Sequence, residues 1–184
     1  MNKITFFKES VRNIRTTGSV IRSSKYLCDG MLKPIDFSQA RVIVELGAGD
    51  GVMTRQILAH MQPDATLLCF EINPIFCETL RKIEDPRFVL IEDSAEYLDN
   101  YLQKKNLPRA DYVVSGIPFI ALPNDLSYRI VRSAFKGLKI GGTYIQFHYA
   151  TILKRMYQTI FGNLAIRFIA LNFPPAFVMV CVKQ

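Results

Sequence analysis

The chain has 184 residues, 49% of them hydrophobic and 21% charged, and a formal net charge of +7 from 23 Lys and Arg against 16 Asp and Glu. That is ordinary for one folded domain long enough to bury a sizeable core, and no apolar run approaches the ~20 residues of a membrane-spanning helix. The N-terminus has no continuous apolar stretch like that of a secretory signal, and four cysteines without C-x-x-C spacing beside two histidines argue against a disulfide framework or a metal site. The chain therefore reads as cytoplasmic, with reduced, buried thiols at Cys69 and Cys181.

In chain order, the first feature is charge. Residues 1–25 hold Lys3, Lys8, Arg12, Arg15, Arg22 and Lys25 against Glu9 alone, a local net charge of +5. Such a concentration suggests a polyanionic partner, either nucleic acid or an anionic membrane surface. At ~100° per residue, Ile4, Phe7, Val11 and Ile14 share one stripe, with Lys8, Arg12 and Arg15 along its flank. Two readings fit this pattern: a helix lying in an anionic interface, or a lid packed on the core with a solvated basic flank.

From residue 41 apolar strands alternate with helical spacings. "RVIVEL" predicts a strand and "VMTRQILAHM" a helix; "ATLLCFE" a strand and "PIFCETLRKI" a helix; "RFVLIE" a strand and "SAEYLDNYLQKK" a helix. "DYVVS" is then a strand, "DLSYRIVRSAFKGL" a helix and "GTYIQFHYA" a strand, followed by a helix near 151–161. The last two strands, "AIRFIALNF" and "AFVMVCVK", are separated only by Pro174-Pro175, a connection that joins antiparallel neighbours. The expected fold is α/β: a Rossmann-like, seven-stranded, mostly parallel sheet with an antiparallel last strand, helices on both faces and an N-terminal helical extension.

In open parallel sheets, ligands bind outside the carboxyl ends of the strands. The first such end reads Glu45-Leu46-Gly47-Ala48-Gly49-Asp50-Gly51, a G-x-G-x-G spacing that differs from the G-x-G-x-x-G of dinucleotide binders. Glycines here allow a tight turn and close approach by a ligand. Glu45 and Asp50 would oppose a pyrophosphate and suit a ligand carrying an ammonium and a sulfonium. Glu71, followed by Ile72, is placed to accept hydrogen bonds from two ribose hydroxyls. Asp93 can accept from an adenine amino group, or Asp93 or Ser94 can cap the helix that follows. The fourth end, Ser115-Gly116-Ile117-Pro118-Phe119, leaves the sheet abruptly. Ser115 and Gly116 would open the chain beside the reacting group, with Ile117, Pro118 and Phe119 as an apolar wall; an ordinary turn would also use glycine and proline.

Residues from about 41 to 150 resemble the class I S-adenosylmethionine-dependent methyltransferases: "VELGAGDG" matches their first motif, Glu71 the ribose-binding acid, Asp93 the adenine-side residue and "SGIPF" the acceptor motif. The resemblance implies S-adenosylmethionine as cofactor, held by Glu45, Gly47, Ala48, Gly49, Gly51, Glu71, Ile72, Asp93, Ser94, Ser115 and Gly116. Ribosomal RNA adenine dimethylases resemble the chain more distantly, since they carry a polar residue where Gly116 stands. "SGIPF", "GGTYIQFHYA", "LNFPPAFVMVCVK" and the opening "FFKESVRNIRTTGSVIRSSKYLCDGML" are more similar to bacterial phospholipid N-methyltransferases, although Arg22 stands where proline is expected.

That similarity implies one methyltransferase domain over 1–184, with residues 1–34 as a lid or membrane-contact segment and 41–184 as core. It implies phosphatidylethanolamine as acceptor, Ser23 and Ser24 near the cofactor, and a protein peripheral at the inner face of the membrane. Phe7, Lys8, Val11, Arg12, Arg15, Ile117, Pro118 and Phe119 would meet lipid or substrate. The amine must lose a proton; Ser115, His148 and Tyr149 are candidate acceptors, and the resemblance favours Tyr149. On an alternating strand, His148 and Tyr149 point to opposite faces. The alternatives are an RNA adenine or small-molecule N-methyltransferase, disfavoured for RNA by the lack of a recognition domain after the core, and a non-catalytic S-adenosylmethionine-binding protein. No metal is expected.

Overall fold

The computed structural model describes residues 24–184. Its centre is the strand β1 (Val42–Leu46), buried along its whole length. The side chains of β1 alternate: Val42, Val44 and Leu46 enter one apolar cluster, and Ile43 enters another on the opposite face. A strand buried on both faces needs apolar residues at every position, which is why "VIVEL" shows no polar alternation except Glu45.

Around β1 stand β2 (Thr66–Phe70), β3 (Phe88–Ile91), β4 (Ala110–Ser115), β5 (Leu138–His148), β6 (Ala165–Ile169) and β7 (Ala176–Val182). Their order in the sheet is β3-β2-β1-β4-β5-β7-β6. The first five pair in parallel, and β7 lies antiparallel between β5 and β6. The expected seven-stranded, mostly parallel sheet with a reversed last strand is the one observed.

The helices are α1 (Lys25–Leu32), α2 (Val52–His60), α3 (Pro74–Leu80), α4 (Leu98–Lys104), α5 (Asn124–Gly137) and α6 (Lys154–Phe161). Residues of α4, α5 and α6 pack with one face of the sheet, those of α1 and α2 with the other. Each large apolar side chain buried this way contributes about 1.5–3 kcal/mol relative to exposure. Local chemistry sets the helix starts. Ser24 caps α1 by accepting from the Leu27 N–H at 3.2 Å. Asn73 caps α3, with Pro74 at the first helical position, where its missing N–H costs nothing.

The helix expected over "PIFCETLRKI" ends at Leu80 and the one near 151–161 starts at Lys154, and three further boundaries differ from expectation. "SAEYLDNYLQKK" is broken into a 3-10 turn (Ala95–Tyr97) and α4, because Ser94 caps the short turn through the Glu96 N–H. The strand β5 begins at Leu138, four residues early: Gly141 N–H donates to the Lys183 carbonyl, and Lys183 N–H to the Gly142 carbonyl, drawing the glycines into the sheet. Finally, β6 ends at Ile169, so residues 170–175 form the connection to β7. It is still short enough for an antiparallel pair. All four cysteines are buried and none is in a disulfide, and among the described residues no helix is long and apolar enough to cross a membrane.

Candidate active site

The carboxyl ends of β1 to β5 meet along one edge, and the loop after β1 is pinned between its neighbours. Gly47 N–H donates to the Phe70 carbonyl of β2 at 2.8 Å, while Gly116 N–H, just beyond β4, donates to Leu46 at 2.8 Å. Gly47, Gly49 and Gly51 have φ of +72°, +57° and +80°, a region in which a side chain is strained. Gly116 is required for a different reason. A Cβ there would lie 2.9 Å from the Gly47 carbonyl oxygen, so the two loops can touch only as glycine on glycine. At Gly49, by contrast, a Cβ would meet nothing within 4 Å, leaving open space in front of the loop.

Glu71, just past β2, fastens this loop. One carboxylate oxygen accepts from the Gly49 N–H at 2.9 Å, and the other from the Ile72 and Asn73 N–H groups at 2.8 Å each. Asp93, just past β3, accepts from the Ser94 N–H at 2.7 Å and from the Tyr101 hydroxyl at 2.9 Å. The capping role belongs to Ser94, which leaves Asp93 as an oriented acceptor at the strand end. Glu45 is only 2% exposed, with the Cys69 thiol 3.7 Å from its carboxylate. Burial pushes its carboxyl up to about 7; the thiol lowers it, and the negative Glu71 raises it further. The buried Thr54 hydroxyl beside this group has no sound hydrogen bond of its own.

Four carboxylates, of Glu45, Asp50, Glu71 and Asp93, thus follow or close the first three strands. A pyrophosphate would be repelled there. A cationic ligand with hydroxyls and an amine to donate fits the donor set, and S-adenosylmethionine has that chemistry. Ala48, buried, and Ile72, half-exposed, would contribute backbone and apolar contact.

The β4–β5 side is built differently. Ser115 is fully buried, its oxygen 3.4 Å from the Ile117 N–H and near the Tyr144 phenol. The side-chain amide of Gln146 donates to the Ile117 carbonyl at 3.1 Å and to that of Phe147 at 2.7 Å, and its oxygen accepts from Tyr144 at 3.3 Å. His148 Nε2 lies 2.7 Å from the Tyr157 hydroxyl, and burial pushes the imidazole down to about 4. Ser115 and His148 are therefore members of a buried polar network behind the loop. Phe119, 1% exposed, belongs to the core and does not present a face for a planar acceptor to stack on. Ile117 is buried against Gly47, and Pro118 is exposed.

Of the three candidate proton acceptors, only Tyr149 is exposed. It lies just past β5, its ring packed edge-on to Phe147 at 5.7 Å and its hydroxyl beside Asn172. In the sequence Asn172 interrupts an apolar run and belongs to the "LNFPPAFVMVCVK" stretch that resembles the phospholipid N-methyltransferases, without a role assigned to it. It is 2% exposed and binds three segments: its oxygen accepts from the Ser24 hydroxyl at 2.6 Å, its amide donates to the Pro174 carbonyl at 2.7 Å, and it meets Tyr149. Ser24 therefore stands beside the β6–β7 connection. Ser23, Phe7, Lys8, Val11, Arg12 and Arg15 lie outside the described residues. Sequence reasoning assigned no role to Gln146, Tyr144 or Tyr157, although Gln146 and Tyr144 lie in the "GGTYIQFHYA" stretch that carries the resemblance; a glutamine in an otherwise apolar strand was the usable signal. Among the described residues no cluster of His, Cys, Asp or Glu is arranged to hold a metal ion.

The chain is similar to known methyltransferases. The chain is 31% identical over 179 residues to an ornithine lipid N-methyltransferase of Singulisphaera acidiphila, a match covering 96% of this chain and 91% of that one. It is 26% identical over 129 residues to the ribosomal RNA small subunit methyltransferase A of Thermotoga maritima, covering 70% of this chain but 43% of that protein, less than half its length. An O-methyltransferase from Bacillus cereus, solved in complex with SAH, superposes with a TM-score of 0.72 over 97% of this chain and 91% of its own; at 13% identity this is a likeness of fold. No family model matches the chain.

Proposed function

The chain belongs to the class I S-adenosylmethionine-dependent methyltransferases, and from that premise we propose that its acceptor is the amino headgroup of a membrane lipid, phosphatidylethanolamine first among them. It is an enzyme, and S-adenosylmethionine is its methyl donor. The observation that carries the lipid reading is the match to a lipid N-methyltransferase along nearly the whole of both chains. Because that relative is named for ornithine lipid, a second aminolipid acceptor belongs beside phosphatidylethanolamine. We read residues 1–184 as one methyltransferase domain working at the cytoplasmic face of the membrane.

Bound S-adenosylmethionine supplies an electrophilic methyl group on its sulfonium. This chain's residues do the rest by holding and excluding. Glu71 and Asp93 present fixed acceptors, the glycine loop presents N–H groups without side chains, and the buried Glu45 places negative charge beneath a cationic ligand. Ile117, held by Gln146 through its carbonyl, forms an apolar wall beside the loop. The acceptor amine reacts only as the free base. Tyr149, exposed at the mouth, orients it by accepting an N–H bond while the proton passes to water. Burial keeps His148 too weak a base to take a proton from an ammonium. Most of the acceleration then comes from positioning and desolvation.

The test is methyl transfer from labelled S-adenosylmethionine to four acceptors in parallel: phosphatidylethanolamine vesicles, ornithine lipid vesicles, undermethylated ribosomal RNA and a panel of small amines. Label in either aminolipid is expected. Label confined to RNA or small amines overturns the lipid acceptor.

A further inference from the structure

Three loops on the acceptor side of the sheet expose large apolar side chains that the site does not use. Ile120, after β4, is 70% exposed; Ile152, after β5, 72%; Leu171 and Phe173, between β6 and β7, 70% and 88%. Because β5 and β7 are antiparallel with His148 opposite Phe177, the β6–β7 connection lies at the same end of the sheet as the carboxyl ends of β4 and β5. The four side chains thus share one rim, with Tyr149 among them. Large apolar side chains left exposed at one end of the sheet in this way mark an interaction site.

Charge says what the partner is. Residues 26–125, which include the carboxylates of the first three strand ends, hold nine Lys and Arg against fifteen Asp and Glu. Residues 126–184 hold eight Lys and Arg and no Asp or Glu at all. The exposed Lys154 and Arg155 follow Ile152 after one residue, Leu153, and the exposed Arg167 lies on the edge strand that leads to Leu171. A second copy of the chain would bring basic rim against basic rim. Residues 1–23, with five Lys and Arg against Glu9, have the same sign.

We propose that this rim, Ile120, Ile152, Leu171 and Phe173 with Lys154 and Arg155 beside them, is the surface by which the protein docks on an anionic phospholipid bilayer. Apolar tips enter the headgroup boundary while flanking cations meet lipid phosphates. The polarity of the molecule then has a use: the acidic half of the mouth faces the cationic cofactor, and the apolar, basic half faces the leaflet that carries the acceptor. The proposal rests on the lipid reading of the function, but binding and turnover test the two separately.

The experiment uses the full chain and sedimentation with vesicles of phosphatidylethanolamine and phosphatidylglycerol. The variants are Leu171→Asp with Phe173→Asp, and Lys154→Glu with Arg155→Glu. All four positions are exposed, so melting temperatures should match wild type. Each pair is expected to weaken vesicle binding by about tenfold or more, and to lower turnover of vesicle lipid in proportion. Turnover of a water-dispersed short-chain aminolipid and binding of S-adenosylmethionine should not change. Unchanged vesicle binding in both pairs overturns the proposal. So does loss confined to Lys8→Glu, Arg12→Glu and Arg15→Glu, and so does equal loss of turnover on dispersed and vesicle lipid. Rim-dependent vesicle binding without methylation of any lipid supports the docking surface and overturns the lipid acceptor instead.

Discussion

The carboxylate of Glu71, at the end of the second strand, holds the N–H of Gly49 in the loop after the first strand at 2.9 Å. The glycine loop is therefore shaped by its neighbour as well as by its own backbone freedom. Glu71→Gln leaves one carbonyl for three N–H donors and turns an amide N–H₂ toward one of them. The expected cost is about 1–3 kcal/mol of stability, and a fall of about tenfold or more in S-adenosylmethionine affinity as the loop loosens. Calorimetric titration and thermal unfolding measure both. Unchanged affinity would show that the bond serves only the apo fold.

Gly116 makes a sharper prediction, because the atom that a side chain would strike is backbone. Gly116→Ala puts a Cβ 2.9 Å from the Gly47 carbonyl, which cannot rotate away. Stability should fall by about 1–3 kcal/mol, and turnover should fall further than cofactor affinity, since the acceptor loop is what moves. Gly49→Ala should do the reverse. Its Cβ meets open space but its φ is +57°, so strain of about 1–2 kcal/mol accompanies a direct loss of cofactor affinity. Similar profiles for the two variants would contradict this division.

The strands, the helices between them and the four strand ends were legible because their signals are local: apolar runs, helical spacings, glycines and single carboxylates. What the sequence hid was non-local. Ser115 and His148 had the right chemistry at the right strand ends, but alternation along a strand does not say which side is sealed by Tyr144 and Tyr157. The early start of β5 was hidden because the partners of Leu138 and Gly141, Ala110 and Lys183, are far along the chain. The absence of carboxylates after Asp125 was readable at once, yet it acquires meaning only when the topology sets Lys154 and Arg155, just past β5, at the end of the sheet that carries Ile120, Leu171 and Phe173.

Asn172 is the clearest case, since its partner Ser24 is 148 residues away. Asn172→Ala leaves the Ser24 O–H without its acceptor and the Pro174 carbonyl without its side-chain donor, at a cost of about 1–3 kcal/mol. Ser24→Ala removes both the α1 cap and the tie to the β6–β7 connection, costing about 1–2 kcal/mol. In a double-mutant cycle read by urea unfolding, the pair should couple by at least about 0.5 kcal/mol. Additive effects would mean that the cap alone accounts for Ser24.

Two buried groups oppose each other in pH. Burial pushes the Glu45 carboxyl up to about 7 from 4.5, so the native state binds its proton more tightly than the unfolded chain. Stability from this group falls as pH rises from about 4.5 to about 7 and is level above. His148 is pushed down to about 4 from 6.5, so the native state binds its proton less tightly, and stability falls as pH drops from about 6.5 to about 4. Across their shared window the slopes cancel. Carboxylates held below their ordinary range, such as Asp111, titrate beneath it. Wild-type melting temperature should therefore change little between pH 4.5 and 6.5. Glu45→Gln should expose the histidine slope, losing stability toward acid, and at pH 8 without cofactor should exceed wild type by on the order of 3 kcal/mol. His148→Gln should show the opposite slope. A cationic cofactor favours ionised Glu45, so wild-type affinity should rise with pH through about 7 and that of Glu45→Gln should not. Parallel melting curves for wild type and Glu45→Gln would show that Glu45 does not titrate in this window, and the cation-binding role given to its charge would fall with it.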